Sequence, residues 1–372
     1  MTGRLGPELK LEKGGTVSCT LNGIEDITVR AAKGSLEGVH RSWWSPWAGA
    51  LVVTHQTGDR ETPIAAGPIV RPISQDRAKG AVEITAKGIG EILDRRIVLA
   101  GDYRPGQEDE LRASQVVMRG GDLGTYVARI IDAATSKRAG SLPIVLPAGR
   151  RGSRERTYEG WNVANNQAWN RISQITEVRG GPDVAFRPRW AEGREFAHVE
   201  WELATGSEAQ PTLPQNRVPV WDATANDSTV ASMSIVSTAD ELAHRVYATG
   251  AGEGAGIALR MAEQATLPEH FPLLEDVVTD SDTENTALLL ERARGRLTTQ
   301  ATDQVSLGVH SSDLAPFGTW HVGDAVDVEC AGWLQVPDGT HRLRIVAARY
   351  TLGSDIAQVE CQEDILGEEL TW

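Results

Sequence analysis

The sequence predicts an α+β protein that is mainly β, with two β-barrel domains on either side of an inserted α+β module. Two observations lead to this prediction. Short alternating runs bounded by glycine or proline fill the first and last thirds of the chain, as in small sandwiches and barrels. Helical spacing is concentrated in the middle third, and the last third has one clear helix. The predicted domains are residues 1–105, 106–199 and 200–372.

The first domain is predicted from a series of strands and one short helix. An Asn22–Gly23 turn between two alternating runs is a strong signal for a β-hairpin, because both residues accept the positive φ that tight hairpin turns require. Three further strands follow, and a short helix then leads into another strand. In chain order these segments read TVSCTLNGIEDITVRAAKG, GALVVTHQTG, PIAAGPIVRPI, GAVEITAKG and IGEILDRRIV.

The inserted module combines two helices with three short strands. Asp122 is placed to cap the first helix, and the second helix is expected to end at the Gly180–Gly181 pair. The segment AGRRGSRERTYEG is predicted as a polar loop, and the strands are predicted in SLPIVLP, PDVAFRPRW and AHVEWEL. The inward positions are Leu123, Val127, Ile130, Ile131 and Ala134 in the first helix, and Trp169, Ile172 and Ile175 in the second.

The last domain returns to strands. Residues 228–254 are predicted as two strands flanking a turn at Ser237–Glu241. The next segment carries a predicted capping box, Ser281 to Glu284, at the start of the one clear helix of this region. The chain then alternates strictly between apolar and polar residues, which predicts an amphipathic hairpin and a third strand. These strands are Ala325–Cys330, Arg342–Tyr350 and Asp355–Gln362, with a Pro337–Asp338–Gly339 turn between the first two.

Composition and charge exclude several classes of protein. The 372 residues are 40% hydrophobic and 24% charged, which is ordinary for a globular protein. No run of about 18 apolar residues predicts a transmembrane helix, and the N-terminus lacks the apolar core of a secretory signal, so we expect folding in the cytoplasm. The net charge of −14 argues against stable binding of nucleic acid, because such affinity comes mostly from neutralising phosphates.

No motif for catalysis, cofactor binding or metal binding stands out. The Gly250–Gly256 stretch misses the dinucleotide fingerprint and is better explained as a surface turn. The histidines lack metal-ligand spacing, and three cysteines are too few and too scattered for a zinc site or a disulfide framework. Cys330 and Cys361 are predicted at the ends of neighbouring strands, where two buried thiols are favoured over a disulfide. We therefore expect no catalytic residues, cofactor or metal.

Two segments are candidate interaction sites. Trp43, Trp44 and Trp47 share one loop, and the sequence leaves open whether they plug a barrel end or fill an interface, with glycan stacking a weaker alternative. We expect at least two of them to be buried in the assembled protein. The basic run of Arg150, Arg151, Arg154 and Arg156 has two interpretations, a solvated loop or an electrostatic dock for an acidic partner, which on this acidic chain includes a second copy.

Several long segments match one known family in their order and spacing. They are LGTYVARIIDAATSKRAGSLPIVLPAG, YEGWNVANNQAWNRISQITEVRGGPDVAFRPRW, ELAHRVYATGAGEG and the terminal strands from Ser312 to Leu352. These segments resemble the minor tail proteins of actinobacterial siphophages, which belong to the tail-tip or baseplate hub family. The similarity runs from about Ile64 to Glu360, and it rests on fold-level motifs without catalytic signatures.

The resemblance implies a structural protein of the virion that assembles in the host bacterial cytoplasm. In that family each subunit supplies two tube-type β-barrels, so a homotrimer forms a pseudo-sixfold ring that caps the tail tube. The implied partners are the distal tail protein, the tape measure protein and the central fibre or other minor tail proteins, and phage DNA passes through without stable binding. A receptor- or glycan-binding tail protein and a cell-wall-degrading tail enzyme remain as alternatives.

The tube-type barrel also implies positions for two C-terminal elements. A helix should cover one face of the sheet, so the stripe of Ala287, Leu290, Ala293 (or Arg294) and Leu297 is expected to be buried within the chain. The terminal hairpin, residues 325–350, is expected near a seam between subunits.

Overall fold

The computed structural model describes residues 2–71, 73–75, 81–101, 112–225, 228–238, 242–264, 272–281, 283–297, 302–333 and 336–363. Strands dominate these residues, which confirms the prediction of a mainly β protein of the α+β class. The helices are α1 (Lys33–Leu36), α2 (Gly90–Asp94), α3 (Leu123–Thr135), α4 (Ala168–Thr176) and α5 (Thr286–Arg296). The strands are β1 (Thr16–Thr20), β2 (Asp26–Ala32), β3 (Ala50–Thr57), β4 (Arg60–Pro68), β5 (Ser74–Gln75), β6 (Ala81–Lys87), β7 (Val116–Gly121), β8 (Ile144–Val145), β9 (Arg154–Tyr158), β10 (Val184–Trp190), β11 (Val199–Thr205), β12 (Val220–Asp222), β13 (Val230–Thr238), β14 (Arg245–Thr249), β15 (Leu259–Glu263), β16 (Glu275–Thr279), β17 (Thr302–His310), β18 (Ala325–Cys330), β19 (Gly339–Thr351) and β20 (Ile356–Glu363).

The main sheet contains ten strands drawn from both ends of the chain. Its order is β13-β17-β20-β19-β1-β2-β6-β5, with β18 also paired to β19 and β12 paired to β18. The antiparallel pair of β1 and β19, in which Thr16 lies opposite Thr351, connects the two regions. The strands assigned to two separate barrels therefore share one continuous sheet, because β1 pairs with a strand from the far end of the chain.

The first core lies on one face of this sheet. Its centre is aromatic: Trp320 meets Trp221 edge to face, with ring centroids 5.3 Å apart, and stacks on Tyr350 at 5.8 Å. The β3–β4 hairpin forms a wall of this core, into which Leu51 projects, while its neighbour Val52 packs against the second core. The hairpin is thus shared between the first core and the second core.

The second core belongs to the inserted module, in which α3 and α4 pack with the β10-β11-β8 sheet. Asp122 caps α3 as predicted, because its Oδ1 accepts a hydrogen bond from the Thr125 N–H at 2.7 Å. The prediction of a polar loop was wrong for Arg154–Tyr158, which forms β9 and pairs with β7. Only Tyr158 of this strand is buried, so the apolar alternation that normally marks a strand is missing.

A third, smaller core lies in a side subdomain that is inserted between β13 and β17. It consists of the three-stranded sheet β15-β14-β16 and α5, which packs on one face of that sheet. The predicted capping box was wrong: Asn285 is the N-cap, and its Oδ1 accepts hydrogen bonds from Ala287 and Leu288. The fully buried positions of α5 are Leu289 and Ala293, so the predicted stripe was correct only in part, since Ala287 and Arg294 are exposed.

The position of α5 also corrects the expectation that it covers the main sheet. The helix contacts β14, β15 and β16 instead. Its other side approaches the inserted module, where the Arg179 N–H donates to the Glu291 carbonyl at 3.4 Å. The helix therefore lies between the side sheet and the module. The turn predicted at Ser237–Glu241 falls partly outside the described residues, and the two strands around it, β13 and β14, belong to different sheets.

The terminal hairpin and the strand after it form as predicted, but the cysteines lie farther apart than expected. β18 pairs antiparallel with β19, and β19 pairs with β20. Cys330 lies opposite Gly339 and Cys361 lies opposite Ile345, so β19 separates the two thiols. Both are free and buried. Burial raises the pKa of the Cys361 thiol to about 12, so it stays protonated and unreactive at neutral pH.

Candidate functional site

A row of polar positions crosses seven strands of the main sheet, on the face opposite the core. Each member lies directly across from the next in the hydrogen-bonded register. Charges alternate at one end of the row, where Lys87 Nζ lies 3.6 Å from Asp26 Oδ1. We call this surface the polar face. Its row consists of Ser232, Gly308, Gln358, Arg349, Ser18, Asp26 and Lys87.

The adjacent row points the other way and is wholly apolar, so the sheet has two chemically distinct faces. Its members are all buried in the first core. Because side chains alternate strictly along a strand, one register fixes both rows at once. The polar face is therefore held in shape by the packing behind it. The buried row consists of Val309, Ala357, Tyr350, Val17, Ile27 and Ala86.

The sheet ends in a strand whose outer edge lacks the usual protection against pairing. Among the described residues, β13 is terminal in the sheet and pairs only with β17. Its sequence, VASMSIVST, contains no proline and no lysine, the residues that most often blunt an edge. Val236 on this strand is 57% exposed. This edge is chemically able to pair with another strand.

Two ion pairs that run in opposite directions connect the inserted module to the main sheet. Arg187 of β10 donates from Nη2 to Asp324 Oδ1 at 2.8 Å, and Arg344 of β19 pairs with Asp183 of the module. Each pair takes its cation from one side and its carboxylate from the other. Asn22, at the β1–β2 turn with φ 56°, adds a hydrogen bond from the Val184 N–H at 2.8 Å. We call this contact the junction.

A half-buried carboxyl lies in a small cavity beside the junction. Glu25 lines this cavity together with Cys19, Phe186 and Tyr350. Burial raises the pKa of Glu25 to about 7. The negative charge of Asp26 also raises this pKa, whereas a backbone hydrogen bond to the carboxylate lowers it. The Glu25 carboxylate occupies the space next to Gly88, where a Cβ would lie 1.6 Å from Oε2. The described residues contain no cluster of three side chains that could hold a metal ion.

The tryptophan loop is only partly packed within one chain. Trp44 is half-buried against the first core, whereas Trp43 is 39% exposed and Trp47 is 48% exposed. Trp47 has a φ of 62°, a conformation that a bulky residue rarely adopts, and its N–H donates to the Ile69 carbonyl at 2.7 Å. The Arg95 guanidinium lies over the Trp47 ring at 5.3 Å. The expected burial of two tryptophans in an assembly stays a prediction.

The basic run is largely engaged within the chain. Arg150 donates to Asp122 Oδ2 at 2.8 Å, to Thr205 Oγ1 at 2.8 Å and to the Gly206 carbonyl. Burial would raise the pKa of Asp122, but hydrogen bonds from Thr125 and Arg150 lower it by more. Arg150 therefore holds the start of α3 to the end of β11.

The other three arginines differ in exposure. Arg154 is half-buried, and its Nε lies 3.6 Å from Glu208 Oε1. Arg156 shares the inner face of β9 with Tyr158. Burial lowers the pKa of the Arg156 guanidinium, and the positive charges of Arg154 and Arg292 lower it further. Arg151 is the exposed member of the run. Docking by this segment remains a prediction, and it now depends mainly on Arg151.

Sequence reasoning did not find the polar face or the junction. The polar face requires the register of seven strands, although the alternating polar residues of β1, which are Thr16, Ser18 and Thr20, were a usable signal. The junction joins residues up to 162 positions apart, such as Asn22 and Val184. In the described residues no helix is long and apolar enough to span a membrane.

Comparison with known proteins shows that a solved structure shares this fold. No protein-family model matches the sequence, and no curated protein matches it. Among solved structures, the tail protein from Neisseria meningitidis MC58 is 12% identical with a TM-score of 0.51, over 95% of this chain and 92% of that one. The 43 kDa tail protein of prophage MuSo2 from Shewanella oneidensis is 10% identical with a TM-score of 0.49, over 94% and 93%. Prophage tail protein gp18 from Listeria monocytogenes EGD-e is 12% identical with a TM-score of 0.47, over 95% and 89%. The first similarity shows a shared fold over nearly the whole chain.

Proposed function

We propose that this chain, which has the fold of a tail protein, is a structural hub of a phage tail tip. Three copies form a ring that caps the tail tube and links it to the distal tail protein, the tape measure protein and the central fibre. The observation that carries this proposal is the continuous ten-stranded sheet with a buried face, a polar face and an unprotected edge. The fold shared with the Neisseria tail protein supports the same assignment.

The sheet suits the wall of a channel for physical reasons. A channel wall needs a surface that stays hydrated on one side and packs on the other, which the alternation of the two rows provides. A ring of copies also needs sheet edges that can pair across subunits, and the sequence of β13 does not oppose such pairing. The terminal strands β18, β19 and β20 lie in the same sheet, so the seam expected near the hairpin is compatible with this arrangement.

The chemistry of the polar face suits passage of DNA without retention. Serine, glutamine and glycine form much of its row, and of its two cations Lys87 is paired with Asp26 while Arg349 is exposed. An unpaired basic lining would bind phosphates strongly, whereas a mixed lining on a chain of net charge −14 would not. We infer that the polar face lines the lumen.

The proposed role is non-enzymatic and places the protein in the virion, after assembly in the host cytoplasm. The sequence contains no metalloprotease motif and no nucleophile elbow. A zymogram with bacterial cell walls provides the test. Clearing by the purified protein would contradict the structural role.

The assembly is tested by measuring particle mass by light scattering over a range of concentrations. We expect three times the chain mass of 40.2 kDa. Val236→Lys places a charge on the edge strand at an exposed position, so it should reduce the trimer population while leaving the monomer folded. Glu360→Lys is the matched control, because it puts the same residue on an exposed position of β20, away from the edge. A wild-type chain that remains monomeric at all concentrations would refute the hub proposal.

A glycan-binding tail protein is the second candidate, and the exposed rings of Trp43 and Trp47 favour it. Exposed indole rings can stack on sugars. Quenching of tryptophan fluorescence by bacterial surface polysaccharide, lost in Trp47→Ala and retained in Trp161→Ala, would support this function. Trp161 is the control because it is 58% exposed in another part of the chain.

A further inference from the structure

The side sheet has one face that stays exposed among the residues the structure describes. The face turned toward α5 carries the buried residues Val246, Ala248 and Ala262. The opposite face places Met261, Tyr247 and Val277 side by side on β15, β14 and β16. We call it the outer face of the side sheet.

This outer face is apolar to a degree that is unusual for solvent-exposed sheet. Val277 is 59% exposed, and Met261 and Leu259 are exposed as well. Ile257 and Leu273, which flank the same strands, add two further exposed apolar side chains. Contiguous exposed apolar surface of this kind marks an interaction site in a folded protein.

Acidic groups border the apolar row on one side. Glu263 and Glu275 lie on either side of Arg245, which donates to both, at 2.9 Å and 3.1 Å. Two carboxylates share one guanidinium, so the border has an excess of negative charge. Residues 242–297 as a whole contain nine acidic and five basic residues, a net charge of −4.

The inserted module has the opposite charge. Residues 112–205 contain 14 basic and ten acidic residues, a net charge of +4 on a chain whose total is −14. Its two-stranded β7–β9 ribbon buries Met118 and Tyr158 on the inner face. On the outer face Val117 is exposed next to Arg119, whose side chain is 71% exposed and whose Nε lies 3.5 Å from Glu155 Oε1. Arg151 is exposed just before β9. This surface has an apolar centre and two arginines at its border, of which Arg119 is already paired with a carboxylate of the ribbon.

The two surfaces cannot meet within one chain. Helix α5 covers the inner face of the side sheet and touches the module on its other side, at Arg179 and Glu291. The outer face of the side sheet therefore points away from its own module. A contact between the two surfaces requires two copies, in a head-to-tail arrangement of the kind that closes a ring.

We propose that the outer face of the side sheet in one copy docks on the outer face of the β7–β9 ribbon in the next copy. Val277 and Met261 pack against Val117, and Arg119 and Arg151 approach the carboxylates of Glu263 and Glu275. The proposal rests on the proposed assembly of copies, and it specifies a contact outside the main sheet. Such a contact would fix the rotation of each subunit relative to its neighbour.

The test mixes two variants that each carry one new cysteine, Val277→Cys and Val117→Cys, under mild oxidation. We expect a disulfide-linked dimer of twice the 40.2 kDa chain mass in the mixture, and little in either variant alone. Val145→Cys replaces Val117→Cys in the control, since Val145 is an exposed valine on β8 of the same module. Melting temperatures of the single variants verify that each is folded.

Charge exchange provides an independent readout. Arg151→Glu should weaken association about tenfold, and adding Glu263→Arg should restore most of the loss. A mixture that has trimer mass but forms no cross-link would overturn this contact and leave the hub proposal standing. A monomeric wild-type chain would refute both. Efficient cross-linking of Val277→Cys alone would instead indicate a sheet-to-sheet contact and also contradict the proposal.

Discussion

Removing the charge of Asp324 should loosen the junction between the inserted module and the main sheet. Asp324→Asn keeps the size of the side chain and an acceptor for the His321 N–H, but it leaves Arg187 without its counter-ion. The Asp324 side chain is 5% exposed and that of Arg187 is 21% exposed, so the orphaned guanidinium is poorly hydrated. Breaking a buried pair costs roughly 3–5 kcal/mol, and the remaining water contact of Arg187 favours the lower end, about 3 kcal/mol.

This free-energy change converts to a measurable shift in melting temperature. An unfolding entropy of about 2.1 cal/mol/K per residue, applied to the 372-residue chain, gives about 0.8 kcal/mol/K and a decrease in Tm of about 4 °C in one cooperative transition. Scanning calorimetry measures this shift. Asp327→Asn is the matched control, because its partner Arg342 on the neighbouring strand is largely exposed and the pair should contribute less than about 1 kcal/mol.

A double-mutant cycle with Arg187→Met isolates the pair itself. Removing both charges should be less harmful than removing Asp324 alone, so the coupling energy should be at least about 2 kcal/mol. Effects that add to within about 0.5 kcal/mol would show that the two side chains do not interact in solution, and the description of the junction would then be wrong.

Three further predictions concern single positions. Glu25→Gln should stabilise the protein at pH 8 but not at pH 5. The reason is that burial raises the folded-state pKa of Glu25 to about 7, so ionising this carboxyl destabilises the folded state more and more as the pH rises from the unfolded-state pKa to the folded-state pKa. Measurements of Tm at both pH values check this, with Glu83→Gln at an exposed position as the control, and equal Tm shifts at the two pH values would contradict it. Val328→Asp should abolish soluble expression, since an unpaired charge at a position 1% exposed costs several kcal/mol; a normal melting curve would contradict the assigned core. Arg150→Glu should lower the Tm of the monomer by breaking its contact with Asp122, while Arg151→Glu should leave the Tm of the monomer unchanged, both being measured at a concentration at which the chain is dissociated. If neither variant changes this Tm, Arg150 has no structural role.

Local patterns were sufficient for most individual elements. The β1–β2 hairpin, the cap at Asp122 and the terminal hairpin each depend on neighbouring residues, and each forms as predicted. The β1–β2 connection is longer than the tight turn predicted at Asn22–Gly23, and only Asn22 of that pair has a positive φ. The α5 cap was misplaced because Asn285 and Ser281 are both good capping residues, and the choice depends on where the helix packs. Strand β9 was missed because its inner face carries arginines beside the single buried Tyr158.

The candidate sites could be predicted only in part, because their geometry depends on contacts between residues that are distant in sequence. The loop of Trp43, Trp44 and Trp47 was identifiable from composition alone, but the division between packed and exposed rings depends on tertiary contacts. The Arg150–Arg156 run looked uniform in sequence, yet its members have separate environments. The polar face depends on pairings between distant strands, which no window of adjacent residues encodes.

The pairing of β1 with β19 has a consequence for the order in which the protein forms. Thr16 and Thr351 are 335 positions apart, so the contact between them has a very high sequence separation and forms late and slowly. During synthesis, the apolar sides of β1 and β2 emerge long before β19 is made, whereas the inserted module contains all the strands of its own sheet within residues 144–205 and can fold earlier. The nascent chain thus carries an uncovered apolar surface for most of its translation. Chaperone binding to the N-terminal region, and aggregation of chains truncated before β19, are the expected costs of closing the sheet with the two ends of the polypeptide.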